Sequence, residues 1–337
     1  MYNNYETIVR EQKIMNIHDN ILDMIGNTPL VRLRTGISDN GQIACVKLEY
    51  YNPSGSLKDR MAYYILKKAM AEGKIKKGDT VVDNSSGNTG SAMALVALQL
   101  GLKAVVTTPD KTSKEKIDLM RSFGAEVIVT PEVDVHDDPR GFFAVARRLA
   151  KEKGYFDLDQ YDSQVNVESH YSSTGPEIWR DTDGQITHFI AGIGTGGTFS
   201  GVARYLKEMN PKIKTIAVDP EGSVFTDYIR EGKKVPGHCY KVEGIGSDVV
   251  TKAMHKDLVD EVITVSDKDA FLRAREITIN EGMSIGGSSG AVAVAMEQVS
   301  AYLDKGHVMV GIFGDGGIRY LSKCYNDDWM RQQGFLK

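Results

Sequence analysis

Four glycine-rich runs and one lysine hold most of the chemistry legible in this chain. Ser85-Ser86-Gly87-Asn88-Thr89-Gly90 follows a β-branched run and opens an apolar helical pattern. Small side chains leave backbone N–H groups bare, and a helix N-terminus carries partial positive charge. The run therefore suits an anion such as a carboxylate or phosphate. Gly192-Ile193-Gly194-Thr195-Gly196-Gly197-Thr198 repeats the arrangement and adds two hydroxyls. Its four glycines in six residues exceed what a helix cap needs. Gly192, Gly194 and Gly197 also satisfy the dinucleotide pattern, and Asp219, 22 residues past Gly197, is spaced for a ribose hydroxyl. A nicotinamide-dependent oxidoreductase is thus one reading. Gly286-Gly287-Ser288-Ser289-Gly290 and Glu243-Gly244-Ile245-Gly246 complete the set. A dinucleotide fold explains one of the four turns, whereas a ligand gripped from several sides explains all. Lys58 sits in Asn52-Pro-Ser-Gly-Ser-Leu-Lys-Asp-Arg60, a loop entering a helix. Left in solvent it is an ordinary lysine; buried, its amine has a lowered pKa and can form a Schiff base.

These residues need elements to aim them. Strand patterns fall at 28–33, 44–50, 80–84, 103–108, 126–130, 187–192, 215–219, 261–265 and 307–313. Several are continuous apolar runs, as expected of strands covered on both faces. Helical patterns fall between them at 58–71, 89–100, 114–123, 141–153, 198–209, 268–281 and 290–303. The alternation predicts an α/β fold of mostly parallel sheets flanked by helices. Residues 131–140 and 231–242 read as loops, and no repeat or Pro/Ser-rich linker divides the chain.

Composition narrows the class. The chain has 337 residues, 41% hydrophobic and 26% charged, enough apolar material for two modest lobes rather than a disordered chain. A net charge of −4 gives no platform for nucleic acid. Three scattered cysteines, Cys45, Cys239 and Cys324, form neither a disulfide framework nor a metal motif. His170 and the other histidines lack ligand spacing, so no metal is expected, and Trp179 and Trp329 read as packing groups. Residues 1–20 lack an apolar core, and the most apolar stretch, Ser91–Thr108, is interrupted by Gln99 and Lys103. The expectation is a cytoplasmic protein with no membrane span.

The combination points further than its parts. A Schiff-base lysine, a carboxylate loop, a phosphate loop and a later serine loop are what pyridoxal phosphate and an amino acid require. At this point the sequence resembles the fold type II pyridoxal-phosphate enzymes of β-replacement, the cysteine synthases and cystathionine β-synthases, from about Ile21 to Leu336. Gly26-Asn-Thr-Pro-Leu-Val31 is similar to the family's opening strand and Asn52–Arg60 to its lysine motif. The resemblance implies a two-lobed, tryptophan synthase β-like fold. The small mobile lobe would span 54–158 and the large lobe 21–53 plus 159–337, after an N-terminal extension of 1–20. It implies Lys58 as the Schiff-base and catalytic residue, Asn88 at the cofactor's phenolic oxygen, Gly194, Thr195, Gly196, Gly197 and Thr198 as the phosphate cup, and Ser288 at the ring nitrogen. Ser85, Ser86, Gly87, Asn88, Thr89, Gln160 and Gly244 would bind substrate.

Within the family, Glu243-Gly-Ile-Gly246, Val218-Asp-Pro-Glu-Gly-Ser223 and Asp328-Trp-Met-Arg-Gln-Gln-Gly-Phe-Leu336 resemble the cystathionine β-synthase branch. No haem is expected, because residues 1–20 lack the Cys/His segment of the animal enzymes, and no regulatory tandem domain is expected. Ser247 stands where that branch usually has Tyr, Ser85 replaces a Thr, and Ser163-Gln-Val165 and Val167 depart from the family run. The implied activity is condensation of L-serine, an activated serine or L-cysteine with homocysteine through an aminoacrylate, with sulfide released when cysteine is the donor. Cysteine synthase, using O-acetylserine and sulfide, is the alternative, and the oxidoreductase is more remote. Glu243 and Asp248 are candidates for activating the second nucleophile. A homodimer is implied, with small-molecule amino-acid and thiol substrates.

Overall fold

The computed structural model describes residues 17–133 and 138–337. The strands are β1 (Leu30–Arg32), β2 (Ile43–Leu48), β3 (Thr80–Asn84), β4 (Lys103–Pro109), β5 (Glu126–Thr130), β6 (Phe156–Asp157), β7 (His188–Gly192), β8 (Lys214–Pro220), β9 (Glu261–Val265) and β10 (Val308–Phe313). The helices are α1 (Lys58–Ala71), α2 (Asn88–Leu100), α3 (Lys114–Ser122), α4 (Phe142–Lys153), α5 (Gln164–Tyr171), α6 (Thr174–Asp181), α7 (Gly197–Met209), α8 (Phe225–Glu231), α9 (Asp267–Glu281), α10 (Gly287–Ser300) and α11 (Asp327–Gln332).

They form a six-stranded sheet, β1-β2-β10-β7-β8-β9, and a four-stranded sheet, β5-β4-β3-β6. Among the pairings of these strands, only β1–β2 is antiparallel. The α/β expectation with mostly parallel sheets therefore holds. Strand alternation feeds two cores at once. Ile190, Ile216, Val218 and Met309 face α9 and α10, while Phe189, Ala191, Ala217 and Val310 face the core containing α7's Phe199 and Val202. In the smaller sheet Val81 and Val106 join α1 and α2, and Val82 and Val105 join Ala146 of α4.

Four helices and one strand escape periodicity. On α5 the buried residues include Asn166, Ser169 and His170, so its inward face is polar and carries no apolar stripe. α6, α8 and α11 are 8, 7 and 6 residues long, and β6 only two, too short for a period to show. α10 begins at Gly287, not 290, so Ser288 lies on its first turn. The loop expected at 131–140 lies partly, and the N-terminal extension mostly, outside the described residues. No described helix is long and apolar enough to cross a membrane. The turns after β3, β4, β7, β8 and β10 leave the carboxyl ends of parallel strands, where α/β sheets form crevices.

Candidate active site

Lys58 opens α1, directly after the Leu57 backbone N–H donates to the Gly314 carbonyl at 2.9 Å. Its side chain lines a cavity shared with Gly194, Thr195, Gly196, Thr198, Gly244 and Ser288. Burial of the amine lowers its pKa to about 8, with Asp315 pulling the other way.

The glycine run after β7 forms one wall of this cavity. Gly196 has φ +88, and a Cβ there would stand 2.6 Å from Met254 Cα. A Cβ on Gly194 would stand 2.7 Å from the Gly244 carbonyl oxygen. Only glycine therefore lets the two loops meet, and the bare N–H groups lead into the N-terminus of the 13-residue α7. Asn166 Nδ2 donates to Thr195 Oγ1 at 3.1 Å, and Thr251 Oγ1 donates to the Thr195 carbonyl at 2.7 Å. Thr198 Oγ1 lies 3.1 Å from His170 Nε2. Burial, together with the charges of Arg60 and Lys58, holds His170 well below its ordinary pKa, so it is a neutral partner. Asn166 comes from the helix periodicity missed.

A larger cleft, about 390 Å3, continues from Lys58 past Ser85, Ser86, Gly87, Asn88, Thr89 and Gln160 to Glu243, Gly244 and Tyr320. Ser85 Oγ accepts from the N–H groups of Gly87 and Gly90 at 3.1 and 3.0 Å, so it braces the loop. Thr89 Oγ1 donates to Gln160 Oε1 at 2.7 Å. Gln160 Nε2 donates to Asp83 Oδ2 at 2.8 Å and to the Asn84 carbonyl at 3.0 Å, which ties the loop to the end of β3. Ser86 is exposed to the cleft.

The two candidates for nucleophile activation separate. Glu243 accepts from Lys116 and, at 2.6 Å, from Lys323. Burial alone would raise its carboxyl, but the two lysines outweigh burial and hold it below its ordinary range. An ion-paired carboxylate of this kind is a weak base and a good electrostatic anchor. Asp248 is exposed and lines neither cavity. The chain turns away at Gly246, packed under Pro220 and Tyr240, and buries Ser247 instead, whose N–H donates to Ser223 Oγ at 3.1 Å. Asp219, spaced for a ribose, is fully buried and accepts from the Thr226 N–H at 2.9 Å and hydroxyl at 2.8 Å. Through Oδ2 it closes the turn into α8, and it lines neither the Lys58 cavity nor the cleft beyond it.

One cleft residue and one residue behind it carry signals that motif reading passes over. Lys116 is one turn from the buried Met120 on α3, so it lies on an inward face. Asp315 stands in Gly314-Asp-Gly-Gly317, a fifth glycine cluster, just past the carboxyl end of β10.

Comparison with known proteins places the chain in a family. The family model described as "Pyridoxal-phosphate dependent enzyme" matches residues 21–315. A cystathionine beta-synthase of Dictyostelium discoideum is 39% identical over 95% of this chain and 64% of its own length. The Mus musculus cystathionine beta-synthase is 38% identical over 99% of this chain and 59% of its own length. The chain thus spans about six tenths of these relatives. A cysteine synthase of Staphylococcus aureus is 40% identical over 90% of this chain and 96% of its own length. The crystal structure of O-ureido-L-serine synthase superposes with a TM-score of 0.84 at 31% identity, covering 94% of this chain and 99% of that one.

Proposed function

The chain belongs to the pyridoxal-phosphate dependent enzyme family and uses pyridoxal 5′-phosphate, and from that premise we propose that it catalyses β-replacement on L-serine, an activated serine or L-cysteine. One observation carries the reading: a desolvated amine, a glycine cradle too tight for a Cβ and a neutral hydroxyl line one cavity that opens on an anion-binding loop. That set fits a phosphorylated aldehyde and an amino acid. Lys58 holds the aldehyde, Gly194–Thr198 the phosphate, Asn88 the ring oxygen and Ser288 the ring nitrogen. When bound, the cofactor draws electrons from the substrate's Cα, making the α-hydrogen acidic and the β-substituent a leaving group. The Lys58 amine, once free, accepts that proton as general base. Ser288 is uncharged and gives the ring nitrogen no counter-ion, which favours prompt loss of the β-group over prolonged negative charge at Cα.

The substrate carboxylate sits on Ser85–Thr89, with Gln160 behind Thr89 and Gly244 opposite. Residues 54–158 act as the small lobe, closing on the large lobe (21–53 and 159–337) when the carboxylate binds, and closure excludes water. The nucleophile we favour is homocysteine, in a cystathionine β-synthase-like condensation that releases sulfide when cysteine is the donor. The size of the cleft and its Lys116–Glu243–Lys323 cluster support an amino-acid thiol over bare sulfide. Cysteine synthase activity is the second reading, supported by the 96% coverage of the Staphylococcus aureus relative. A homodimer in the cytoplasm belongs to the same proposal, and sedimentation of the purified chain reads the dimer.

The test is a visible spectrum of the purified protein with L-serine, O-acetyl-L-serine and L-cysteine added separately. Product analysis with homocysteine or sulfide follows. A cofactor band that shifts with serine or cysteine, and cystathionine as product, support the first reading. A response to O-acetylserine alone, with cysteine as product, moves the assignment to the second. No band even after adding pyridoxal phosphate overturns both.

A further inference from the structure

Asp315 lies where three parts of the site converge. Its backbone pairs with Ser56 of the lysine loop, and its carbonyl accepts from the Gly286 N–H of the serine loop at 3.1 Å. The side chain is 2% exposed. Its Oδ2 accepts from Asn88 Nδ2 at 2.7 Å and from the Tyr320 hydroxyl at 2.6 Å. Its Oδ1 is buried with no hydrogen-bond partner among the described residues. A buried acceptor left bare is a cost to the fold, and such groups call for an explanation beyond packing.

Two consequences follow for residues already placed in the site. Arg319 donates to Asn88 Oδ1 and to the Ser54 carbonyl. The Asn88 amide is therefore gripped at both ends, its nitrogen by a carboxylate and its oxygen by a guanidinium. Turning the amide over would set oxygen against oxygen and donor against donor, so its polarity is fixed. One amide N–H is committed to Asp315, and the other is left for a ligand that accepts. The Ser56 pairing and the Leu57 N–H to Gly314 carbonyl bond hold Asp315 against the loop that carries Lys58, where its carboxyl opposes the effect of burial on the amine. Asn88 starts α2 beside the smaller sheet, and Asp315 follows β10 of the larger one, so the contact also joins the two sheets' elements.

We propose that Asp315 is a positioning residue, which fixes the donor face of Asn88 and tunes the proton affinity of Lys58. This rests on the roles given to Lys58 and Asn88 above.

The experiment compares the wild-type holoenzyme with Asp315→Asn in the pH profile of kcat and in KM for the amino-acid substrate. Expected are a plateau kcat lower by about tenfold and KM within about threefold, since the Ser85–Thr89 loop is untouched. The profile's midpoint moves about one unit to lower pH, because the ammonium loses its counter-charge. The same midpoint is read in the full chain freed of cofactor, from the pH dependence of Lys58 modification by trinitrobenzenesulfonate. That reading needs no substrate, so it stands apart from the substrate assignment, which fails instead if the wild type shows no cofactor band. Tyr320→Phe is the second variant, and it carries the test if Asp315→Asn does not fold. It removes a donor from the Asp315 carboxyl, so the midpoint moves the opposite way, to higher pH. Midpoints unchanged in whichever variants fold, or moving in the same direction in both, overturn the proposal.

Discussion

Lys58 is an amine held out of water, and its charge state sets when it can act. With a pKa lowered to about 8, chiefly by burial, it is mostly ammonium below that pH and cannot accept a proton. We expect kcat to rise with pH up to about 8 and then level, which a pH–rate profile under saturating substrate checks. Lys58→Ala should abolish turnover. The proposed phosphate cradle makes a second prediction at this scale. Gly196→Ala puts a Cβ 2.6 Å from Met254 Cα in a backbone of φ +88. It should cost about 1–3 kcal/mol of strain and weaken cofactor retention by at least about tenfold, read by dialysis and absorbance.

Elements are tied to one another by charge as well as by apolar packing. Arg60, two residues after Lys58 on α1, bonds Glu49 Oε2 at 2.6 Å and Glu177 Oε1 of α6 at 2.7 Å. Lys47 on β2 adds contacts to Glu177 at 3.0 Å and Asp181 at 2.9 Å. The cluster pins the start of α1, and hence Lys58, to β2 and α6. Arg60→Met should lower stability by about 3–5 kcal/mol, because it strands buried carboxylates without their partner. Thermal unfolding measures that loss. Burial would raise the Glu177 carboxyl, but Arg60 and Lys47 outweigh it and bring it to about 2. Its folded value lies below its ordinary 4.5, so its contribution is complete above about pH 4.5 and is lost as pH falls toward about 2. Acid unfolding of Glu177→Gln should show a shallower slope in that window.

At the scale of the whole molecule, the cleft is lined by loops that follow strands of both sheets. Lys116 comes from α3, against the smaller sheet, and Glu243 from the loop before β9 of the larger one. Their contact crosses the cleft at the place proposed for the second substrate. Lys116→Met should raise KM for homocysteine by about tenfold or more while changing turnover with sulfide by less than about threefold. Equal losses with both nucleophiles would assign Lys116 to the first substrate or to lobe closure.

Much of this was legible in the amino-acid order. Strand–helix alternation, the lysine loop and the glycine turns are local patterns, because a period of two or a bare N–H run depends on neighbours in sequence. β3, β5 and β9 have the bounds their residues predict. What the order of residues could not tell is which polar groups meet. Asp315 and Asn88 are 227 positions apart and 2.7 Å from contact atom to contact atom. The order of residues offers Glu243 for activating a nucleophile and Asp219 for a ribose, but it does not show the two lysines paired with Glu243 or the turn that buries Asp219. Periodicity and glycine content determined the architecture and the glycine loops proposed to bind anions. Only the tertiary structure decided partners and charge states, since both depend on burial and on contacts between residues remote in the chain.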